Sequence, residues 1–240
     1  MGLLLTGALA VFLGANVWKR DLPVRNLRVE GNVIVPGAEI LKLAAIRLGT
    51  KLFDVNLATV RTRIEQNPYV RSVSVNRDGP EGITITVDER VPIAALAGSE
   101  LLYVDEDGVV LPAYRAGRVF DLPVLTGALP ASECAPGRRI TKPSVREALD
   151  LVLLAREVND ELAQGISEIA LREDGDLVVT TADAGIPVVI GRGNLPMKLL
   201  KFNAFWREVA ARRGPQELQY VDLRFEDQVV VRWNGSPVRR

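Results

Sequence analysis

The sequence predicts an α+β protein, with two modest folded units that follow an apolar N-terminal segment. Three observations predict this class. The chain opens on a run without charged side chains, continues in the order strand, helix, helix, strand, strand, and ends in short strands separated by turns and two longer helices. A chain of 240 residues has room for one large domain or two small ones, at roughly 100–200 residues per domain.

Composition excludes several functional classes. The 30 Lys and Arg residues balance the 30 Asp and Glu residues, so the net charge of zero removes the attraction on which non-specific nucleic-acid binding depends. There is no histidine and a single cysteine, Cys134, so an intramolecular disulfide, a zinc cluster and a Cys–His dyad are all excluded. This composition argues against non-specific nucleic-acid binding and against metal centres built from His or Cys, and we also expect no cofactor and no small-molecule substrate.

The N-terminal segment, residues 1–20, is predicted to be a membrane anchor. As a helix, residues 2–18 rise about 26 Å, slightly less than a hydrocarbon core of about 30 Å. Lys19 and Arg20 follow it as head-group anchors. The anchor side chains that we expect to contact lipid or its interface are Leu3, Leu5, Phe12, Leu13 and Trp18.

Two other interpretations of this segment are weaker. A cleaved signal peptide normally has a basic region before the apolar run, and Leu13 is unsuitable for cleavage after Ala15. The third interpretation is a buried helix of a soluble protein. Applied to Lys19 and Arg20 alone, the positive-inside rule would place them in the cytoplasm. The sequence begins within the apolar run, so we expect a basic N-terminal tail to be missing, and the orientation of the anchor stays open.

The first unit starts with a strand in residues 24–30, where Leu27 and Val29 share one face. Pro36 opens a helix that we expect to end near Gly49, a residue suited to a left-handed C-terminal position. Asn56 is a candidate N-cap for a second helix, which Asn67-Pro68 ends. Two strands with alternating apolar residues follow, containing Val73 and Val75 in the first and Ile83, Ile85 and Val87 in the second.

The second unit is predicted to contain short strands separated by turns, together with two longer helices. Asp105-Glu106-Asp107-Gly108 separates two short apolar runs and is typical of a β-hairpin turn. A calcium loop at this place is disfavoured, because it would require a bidentate Glu further along. We predict helices over residues 145–162 and 195–213, and strands over residues 101–104, 109–111, 166–171, 176–181, 186–190, 218–225 and 228–233.

Several short motifs occur in a characteristic order along the chain. They are Val29-Glu30-Gly31-Asn32, Asn67-Pro68-Tyr69-Val70, Val87-Asp88-Glu89-Arg90-Val91-Pro92, Leu122-Pro123-Val124-Leu125-Thr126-Gly127 and Tyr220-Val221-Asp222-Leu223-Arg224-Phe225. Together with the apolar segment, these motifs resemble the FtsQ/DivIB family of bacterial cell division proteins. The resemblance extends from Asp21 to Trp233.

The resemblance implies a transmembrane anchor at 1–20, a POTRA domain of order β-α-α-β-β at 21–92 and a β-domain at 93–240. The β-domain would have a twisted, mostly antiparallel sheet with helices on one face. It also implies a single-pass protein of the cytoplasmic membrane, with its bulk outside the cytoplasm and its place at the division septum. Family members usually have a cytoplasmic tail before the anchor, so the sequence is expected to lack such a tail through truncation or a late start codon.

The function implied by the resemblance is a non-catalytic scaffold of the divisome that links early and late division proteins. Its β-domain would bind FtsB- and FtsL-like proteins, and its POTRA domain and anchor would bind other division proteins. Two alternatives come from other functional classes. The first is a different POTRA-containing assembly or secretion protein, which would require a membrane β-barrel for which the chain has no room. The second is an extracytoplasmic hydrolase, which no motif supports.

The last strand is the candidate interaction site. By its residues alone, the run Val229-Val230-Val231 either completes the sheet or leaves an edge that can accept an added strand. The resemblance implies strand addition by FtsB at this edge. The contact positions that it implies are Phe225, Asp227, Gln228, Val229, Val231 and Trp233, with Phe225 and Trp233 filling pockets in the partner and Arg172 as a more distant basic contact. The family usually has Tyr at the position of Phe225.

Overall fold

The computed structural model of the chain describes residues 22–98, 100–113, 120–127, 129 and 132–235. The predicted anchor, residues 1–20 with its five named side chains, lies outside these residues. None of the helices within the described ranges combines the length and the hydropathy needed to cross a membrane. The chain divides between Arg90 and Val91 into two compact units.

The first unit is a three-stranded sheet with two helices, and its order of elements agrees with the prediction. Strand β1 (Asn26–Glu30) is followed by helices α1 (Gly37–Ala44) and α2 (Leu57–Ile64), and then by β2 (Val70–Asp78) and β3 (Gly82–Glu89). The spatial order is β1-β3-β2, in which β3 is parallel to β1 and antiparallel to β2. The β-α-α-β-β expectation is thereby confirmed.

The apolar periodicity of the first unit is also confirmed, because the residues that share a face are the buried ones. The buried members include Ile40, Ala44, Val60, Ile64, Val73, Ile83, Ile85 and Val87. Asn56 caps α2 by accepting a hydrogen bond at its Oδ1 from the Thr59 N–H, at 3.1 Å. The expected end of α1 near Gly49 is wrong, since α1 ends at Ala44 and Ala45 takes the left-handed conformation at φ 50°.

The connection from β1 to α1 is organised by Glu89. Its carboxylate accepts hydrogen bonds from three consecutive N–H groups, those of Val33, Ile34 and Val35, at 2.6–2.9 Å. Gly31 precedes them at φ 81°, and a Cβ there would lie 2.2 Å from the carbonyl oxygen of Val87, so only glycine fits. Glu89 therefore provides acceptors for a loop backbone that no strand or helix satisfies.

The second unit is built on a nine-stranded sheet of order β12-β11-β10-β9-β8-β7-β4-β5-β6. Five of its strand pairs are antiparallel and three, β10–β11, β4–β7 and β7–β8, are parallel. The strands are β4 (Pro92–Leu96), β5 (Leu102–Asp105), β6 (Val110–Pro112), β7 (Val124–Gly127), β8 (Ile166–Leu171), β9 (Leu177–Thr181), β10 (Pro187–Gly191), β11 (Leu218–Asp222) and β12 (Val230–Trp233). The α+β class is thus confirmed, with a mixed sheet.

The sequence patterns did not predict β4 or β7. All five residues of β4 are buried, so the strand lacks the alternation of apolar and polar residues by which exposed strands are recognised. Strand β7 lies between β4 and β8 and is parallel to both, which is an interior position in the strand order, although only Leu125 of its four residues is buried. The predicted hairpin around residues 105–108 is confirmed, because β5 and β6 pair antiparallel across it.

The helices of the second unit differ from the prediction at two points. Asn159 divides the predicted helix 145–162, because its backbone is extended and its Oδ1 caps the next helix through the Leu162 N–H, at 2.7 Å. The predicted helix 195–213 contains a π-helical turn. The helical segments are α3 (Pro143–Val158), α4 (Asp160–Gln164), α5 (Leu195–Phe205), the π-helical turn (Trp206–Ala210), α6 (Ala211–Arg213) and a 3₁₀ turn (Pro215–Glu217).

Replacing Glu89 with Ala should destabilise the first unit by about 2 kcal/mol, because three loop N–H groups lose a charged acceptor and water restores only part of the lost hydrogen bonding. Amide hydrogen exchange at Val33, Ile34 and Val35 should accelerate in step. The matched control is Asp88→Ala, which removes the adjacent exposed carboxylate. Equal protection of the loop in both variants would contradict this role of Glu89.

A strand edge as the candidate interaction site

The nine-stranded sheet has two edges in the described residues, and they differ in how their backbone groups are satisfied. At the β6 edge, Val110 donates its N–H to Arg138 and accepts a hydrogen bond from the Gly137 N–H, both at 2.8 Å. The segment 137–139 therefore covers that edge. At the other edge, no strand of the described residues pairs with the outer side of β12.

The register of β12 shows which backbone groups face outward. Arg232 lies opposite Tyr220, Val230 lies opposite Asp222, and the Asn234 N–H bonds the Glu217 carbonyl oxygen at 2.7 Å. Backbone groups alternate in direction along a strand, so those of Val231 and Trp233 point away from β11. An incoming strand would find its main-chain donors and acceptors at these two residues.

The side chain of Trp233 belongs to the core rather than to the surface. It is only 8% exposed, its ring centre lies 6.5 Å from that of Phe205, and the Arg213 guanidinium carbon lies 4.1 Å from the ring centre. Val229 and Val231 also pack against this core and are half-buried. The backbone of Trp233 faces the open edge, while its indole supports that edge from within.

Phe225 is the prominent exposed apolar side chain of the connection between β11 and β12. It is 45% exposed, and Asp227 and Gln228 beside it are exposed as well. Lys201 of α5 holds this connection, since its Nζ donates to the carbonyl oxygens of Phe225 and Glu226 at 3.0 and 2.6 Å. The ring of Phe225 is therefore presented on a backbone that the helix has fixed in place.

The start of the same connection is held by an ion pair between Asp222 and Arg224. The Asp222 carboxylate accepts the Arg224 N–H at 3.0 Å and is also bound by Nε and Nη2 of the guanidinium, the latter at 2.7 Å. The side-chain hydrogen bond from Arg224 lowers the pKa of Asp222 below its usual 3.8, although burial opposes the shift. Asp222 and Arg224 therefore shape the turn that follows β11.

The connection between β10 and α5 packs against this ion pair. Gly191 has φ 69°, and a Cβ there would lie 2.7 Å from Cγ of Arg224. Lys198 is buried and donates from Nζ to the carbonyl oxygens of Ile190 and Arg192, each at 2.8 Å. Burial lowers the pKa of Lys198 below its usual 10.5. The predicted strand-to-helix connection at Gly191-Arg192-Gly193 is confirmed, and its carbonyls are satisfied by a lysine.

Arg172 is placed away from the other predicted contact residues. It lies in the turn between β8 and β9, where its N–H bonds the Asp176 carbonyl oxygen. Three strands separate β8 from β12. At about 4.8 Å per strand spacing, this corresponds to about 19 Å across the sheet. The structure thus brings together Phe225, Asp227, Gln228, Val229, Val231 and Trp233 but not Arg172.

Sequence reasoning missed Lys201 and Arg213, which support the edge from the helical side. Both belong to helical segments whose polar residues the periodic pattern assigns to solvent. Nothing in the local sequence distinguishes Lys201 from other helical lysines, because its partners are carbonyl oxygens more than twenty residues further along the chain. The two residues could be found only once α5 and β12 were placed together.

A cavity of about 540 Å³ lies beside the π-helical turn of the second unit. Phe202 and Trp206 form its apolar part. Its described lining contains no Ser, Cys, Lys or Tyr, and the hydroxyl of Thr181 already accepts the Ile186 N–H. Cys134 does not line this cavity. Burial is the larger cause and the negative charge of Glu133 the smaller cause that raise the pKa of its thiol above the usual 9.0, which disfavours the reactive thiolate.

Comparison with known proteins agrees with the two-unit architecture. A family model described as POTRA domain, FtsQ-type matches residues 22–90. A second model, described as Cell division protein FtsQ/DivIB, C-terminal, matches residues 93–224. The chain is therefore a POTRA-containing protein of the bacterial cell division machinery.

Curated relatives match over nearly the whole chain. The cell division protein FtsQ of Rhodothermus marinus is 33% identical, with 98% of this chain and 87% of the relative covered. The corresponding protein of Syntrophotalea carbinolica is 29% identical, with 97% and 82% covered, and that of Salinibacter ruber is 30% identical, with 96% and 90% covered. The chain belongs to the FtsQ/DivIB family of cell division proteins, and the resemblance inferred from its motifs is confirmed.

Replacing Asp222 with Asn should destabilise the second unit by about 1 kcal/mol at neutral pH, since the partner guanidinium is half exposed and solvent weakens the pair. Because the folded-state pKa of Asp222 lies below 3.8, its contribution is complete above that value and is lost as the pH falls through the lowered pKa. The unfolding free energies of the wild type and the variant in urea should therefore converge as the pH is lowered below 3.8.

The fluorescence of Trp206 and Trp233 reports unfolding of this unit directly. Asp150→Asn serves as the control, because it alters an exposed helical ion pair with Arg146 that contributes only a few tenths of a kcal/mol. A difference in unfolding free energy between wild type and Asp222→Asn that stayed constant as the pH was lowered from neutral to well below 3.8 would rule out the proposed ionic contribution.

Proposed function

We propose that the protein is a non-catalytic scaffold of the divisome. Residues 1–20 anchor it in the cytoplasmic membrane, and a POTRA domain at 21–92 and a β-domain at 93–240 lie outside the cytoplasm at the division septum. There it links early and late division proteins. Membership of a family of cell division proteins supports this proposal, and so does a candidate site that offers main-chain hydrogen bonds rather than a set of catalytic groups.

The mechanism that we propose is strand addition. A short extended segment of an FtsB-like partner pairs with the outer side of β12, and an FtsL-like protein is recruited with it. The observation that carries the proposal is the unpaired outer edge of β12 in the described residues, with the backbone groups of Val231 and Trp233 directed outward. Such an edge is a template for another chain.

Backbone pairing alone is too weak to account for a stable complex. Two outward-facing residues offer about four hydrogen-bonding groups, which contribute a net of roughly 2–6 kcal/mol at 0.5–1.5 kcal/mol each. A micromolar complex requires about 8 kcal/mol after the costs of association. Exposed side chains must contribute the remainder, and Phe225, with Asp227 and Gln228 beside it, is in place to do so.

Phe225 fits the role of anchor because its ring is exposed while Lys201 holds its backbone. An ordered backbone reduces the entropy that binding would otherwise cost. A Tyr at this position would add a hydroxyl group, so Phe225 provides the apolar part of the contact alone. Trp233 contributes from beneath the edge, and its replacement by Ala would leave a core cavity costing about 3–5 kcal/mol of stability.

Phe225→Ala should weaken binding of the FtsB-like partner at least tenfold, as expected for a central aromatic anchor. The thermal midpoint should stay within about 2 °C of the wild type, because the ring is largely outside the core. Titration of the purified full-length pair in detergent measures the affinity. Leu200→Ala is the control, since it removes an equally exposed apolar side chain from α5. An unchanged affinity for Phe225→Ala would remove this residue from the interface.

Val231→Pro tests the backbone itself. Proline removes the outward-facing N–H and leaves the bonds to β11, which run through Val230, Arg232 and Asn234. We expect Val231→Pro to bind the FtsB-like partner about tenfold or more weakly than the wild type. Val231→Ala keeps the N–H and reduces the side chain, so it should bind within a few-fold of the wild type. If both variants bind equally well, the partner does not pair with β12.

A further inference from the structure

The first unit carries two large apolar side chains exposed on the connection between α1 and α2. Leu48 is 65% exposed and Phe53 is 51% exposed. They flank a short segment, 49–52, whose backbone is well ordered by hydrogen bonds. We call residues 45–54 the α1–α2 loop. Its exposed apolar groups are the feature that the proposed function leaves unexplained.

The α1–α2 loop lies directly beside the beginning of the described chain. The Val24 N–H bonds the Thr50 carbonyl oxygen at 2.8 Å, and the Leu52 N–H bonds the Leu22 carbonyl oxygen at 2.8 Å. Pro23 and Lys51 form an isolated antiparallel bridge between these two bonds. These contacts therefore join the loop to Leu22, Pro23 and Val24, which follow closely after residues 1–20.

Leu48 and Phe53 are exposed on a loop whose backbone is held in place by hydrogen bonds. Arg77 of β2 donates from Nε to the Leu52 carbonyl oxygen and from Nη2 to the Val55 carbonyl oxygen, each at 3.2 Å. Its guanidinium carbon lies 5.1 Å from the centre of the Phe53 ring. Leu52 is buried in the core between the two exposed positions. The loop thus directs Leu52 inward while it holds Leu48 and Phe53 outside.

We propose that the α1–α2 loop is a membrane-contacting surface, whose Leu48 and Phe53 insert into the interface of the same bilayer that holds the anchor. This inference rests on the proposed anchor at residues 1–20. Only Asp21 lies between Arg20 and Leu22, so these two residues are at most about 7 Å apart. The head-group region is about 5–8 Å deep on each side, so the loop lies within its reach.

The chemistry of the loop agrees with a lipid surface. Exposed Leu and Phe side chains gain free energy by entering the boundary between head groups and acyl chains. Arg47 and Lys51 accompany them and are suited to phosphate groups, while Asp54 is the acidic residue of the loop. At the same end of the unit, Arg25 is already paired with Glu81, at 3.2 Å. Apolar insertion therefore provides the main attraction, and the basic side chains assist it.

The opposite end of the same unit provides an internal control. Val33 is 70% exposed, so it resembles Leu48 in exposure and in apolar character. It follows the far end of β1, whose five residues span about 17 Å from the end that the loop occupies. A unit docked through the α1–α2 loop would hold Val33 in water, whereas a freely tumbling unit would treat both positions alike.

The test uses the full-length chain with Cys134→Ser, reconstituted in vesicles of phosphatidylethanolamine and phosphatidylglycerol. A nitroxide label is attached to single cysteines at Leu48→Cys, Phe53→Cys, Val33→Cys and, within the predicted anchor, Leu13→Cys. Collision of the label with oxygen, which partitions into lipid, is compared with collision with a water-soluble nickel chelate. We expect the ratio at positions 48 and 53 to exceed that at position 33 by about threefold or more.

The four labels separate the two proposals. If positions 48 and 53 resemble position 33 while position 13 is in lipid, the anchor stands and the docking proposal is wrong. If position 13 is also in water, the anchor proposal fails and the docking proposal fails with it. A label at Arg47→Cys tests whether the loop inserts without help from a label on an apolar position. Adding Leu48→Ser and Phe53→Ser should return this label to water. Adding Val33→Ser instead should leave its collision ratio unchanged.

Discussion

The second unit depends on one constraint, which is that every backbone N–H and C=O group in a sheet requires a partner. A nine-stranded open sheet meets this requirement everywhere except at its two edges. The segment 137–139 closes the β6 edge from within the chain, whereas the outer side of β12 has no strand partner among the described residues. Within the described part of this sheet, the β12 edge is therefore the one whose main-chain groups lack a partner, which is the kind of edge that can accept an added strand.

The same constraint explains several charged residues that bind main-chain groups outside the regular strand pairing. Glu89 accepts three N–H groups of a loop, and Asp222 accepts the N–H of Arg224 while pairing with its guanidinium. Lys198 donates to the carbonyl oxygens of Ile190 and Arg192 at the end of β10, and Lys201 donates to two carbonyl oxygens of the β11–β12 connection. In each case a charged side chain binds main-chain groups in a loop or at its border. Each of these charged side chains therefore has a structural role in the fold.

The sequence was a good guide where one periodic pattern decided the outcome. Alternating residues identified β2 and β3, turn residues between two apolar runs identified the hairpin of β5 and β6, and Asn56 identified the N-cap of α2. It was a poor guide where several elements decided together. Strand β4 is buried on both faces and shows no alternation, and Asn159 interrupts a helical pattern because its side chain caps the following helix. Local periodicity contains no information about such competition.

The candidate site divides in the same way. The sequence by itself determined the family, the apolar N-terminal segment and the position of the last strand, because motifs, hydropathy and strand propensity are properties of neighbouring residues. Only the tertiary structure decided that β12 lies at an edge, that the Trp233 indole faces the core, and that Lys201 fixes the backbone of Phe225. These facts depend on contacts between segments distant in the chain, which are formed only when the sheet and its helices pack together.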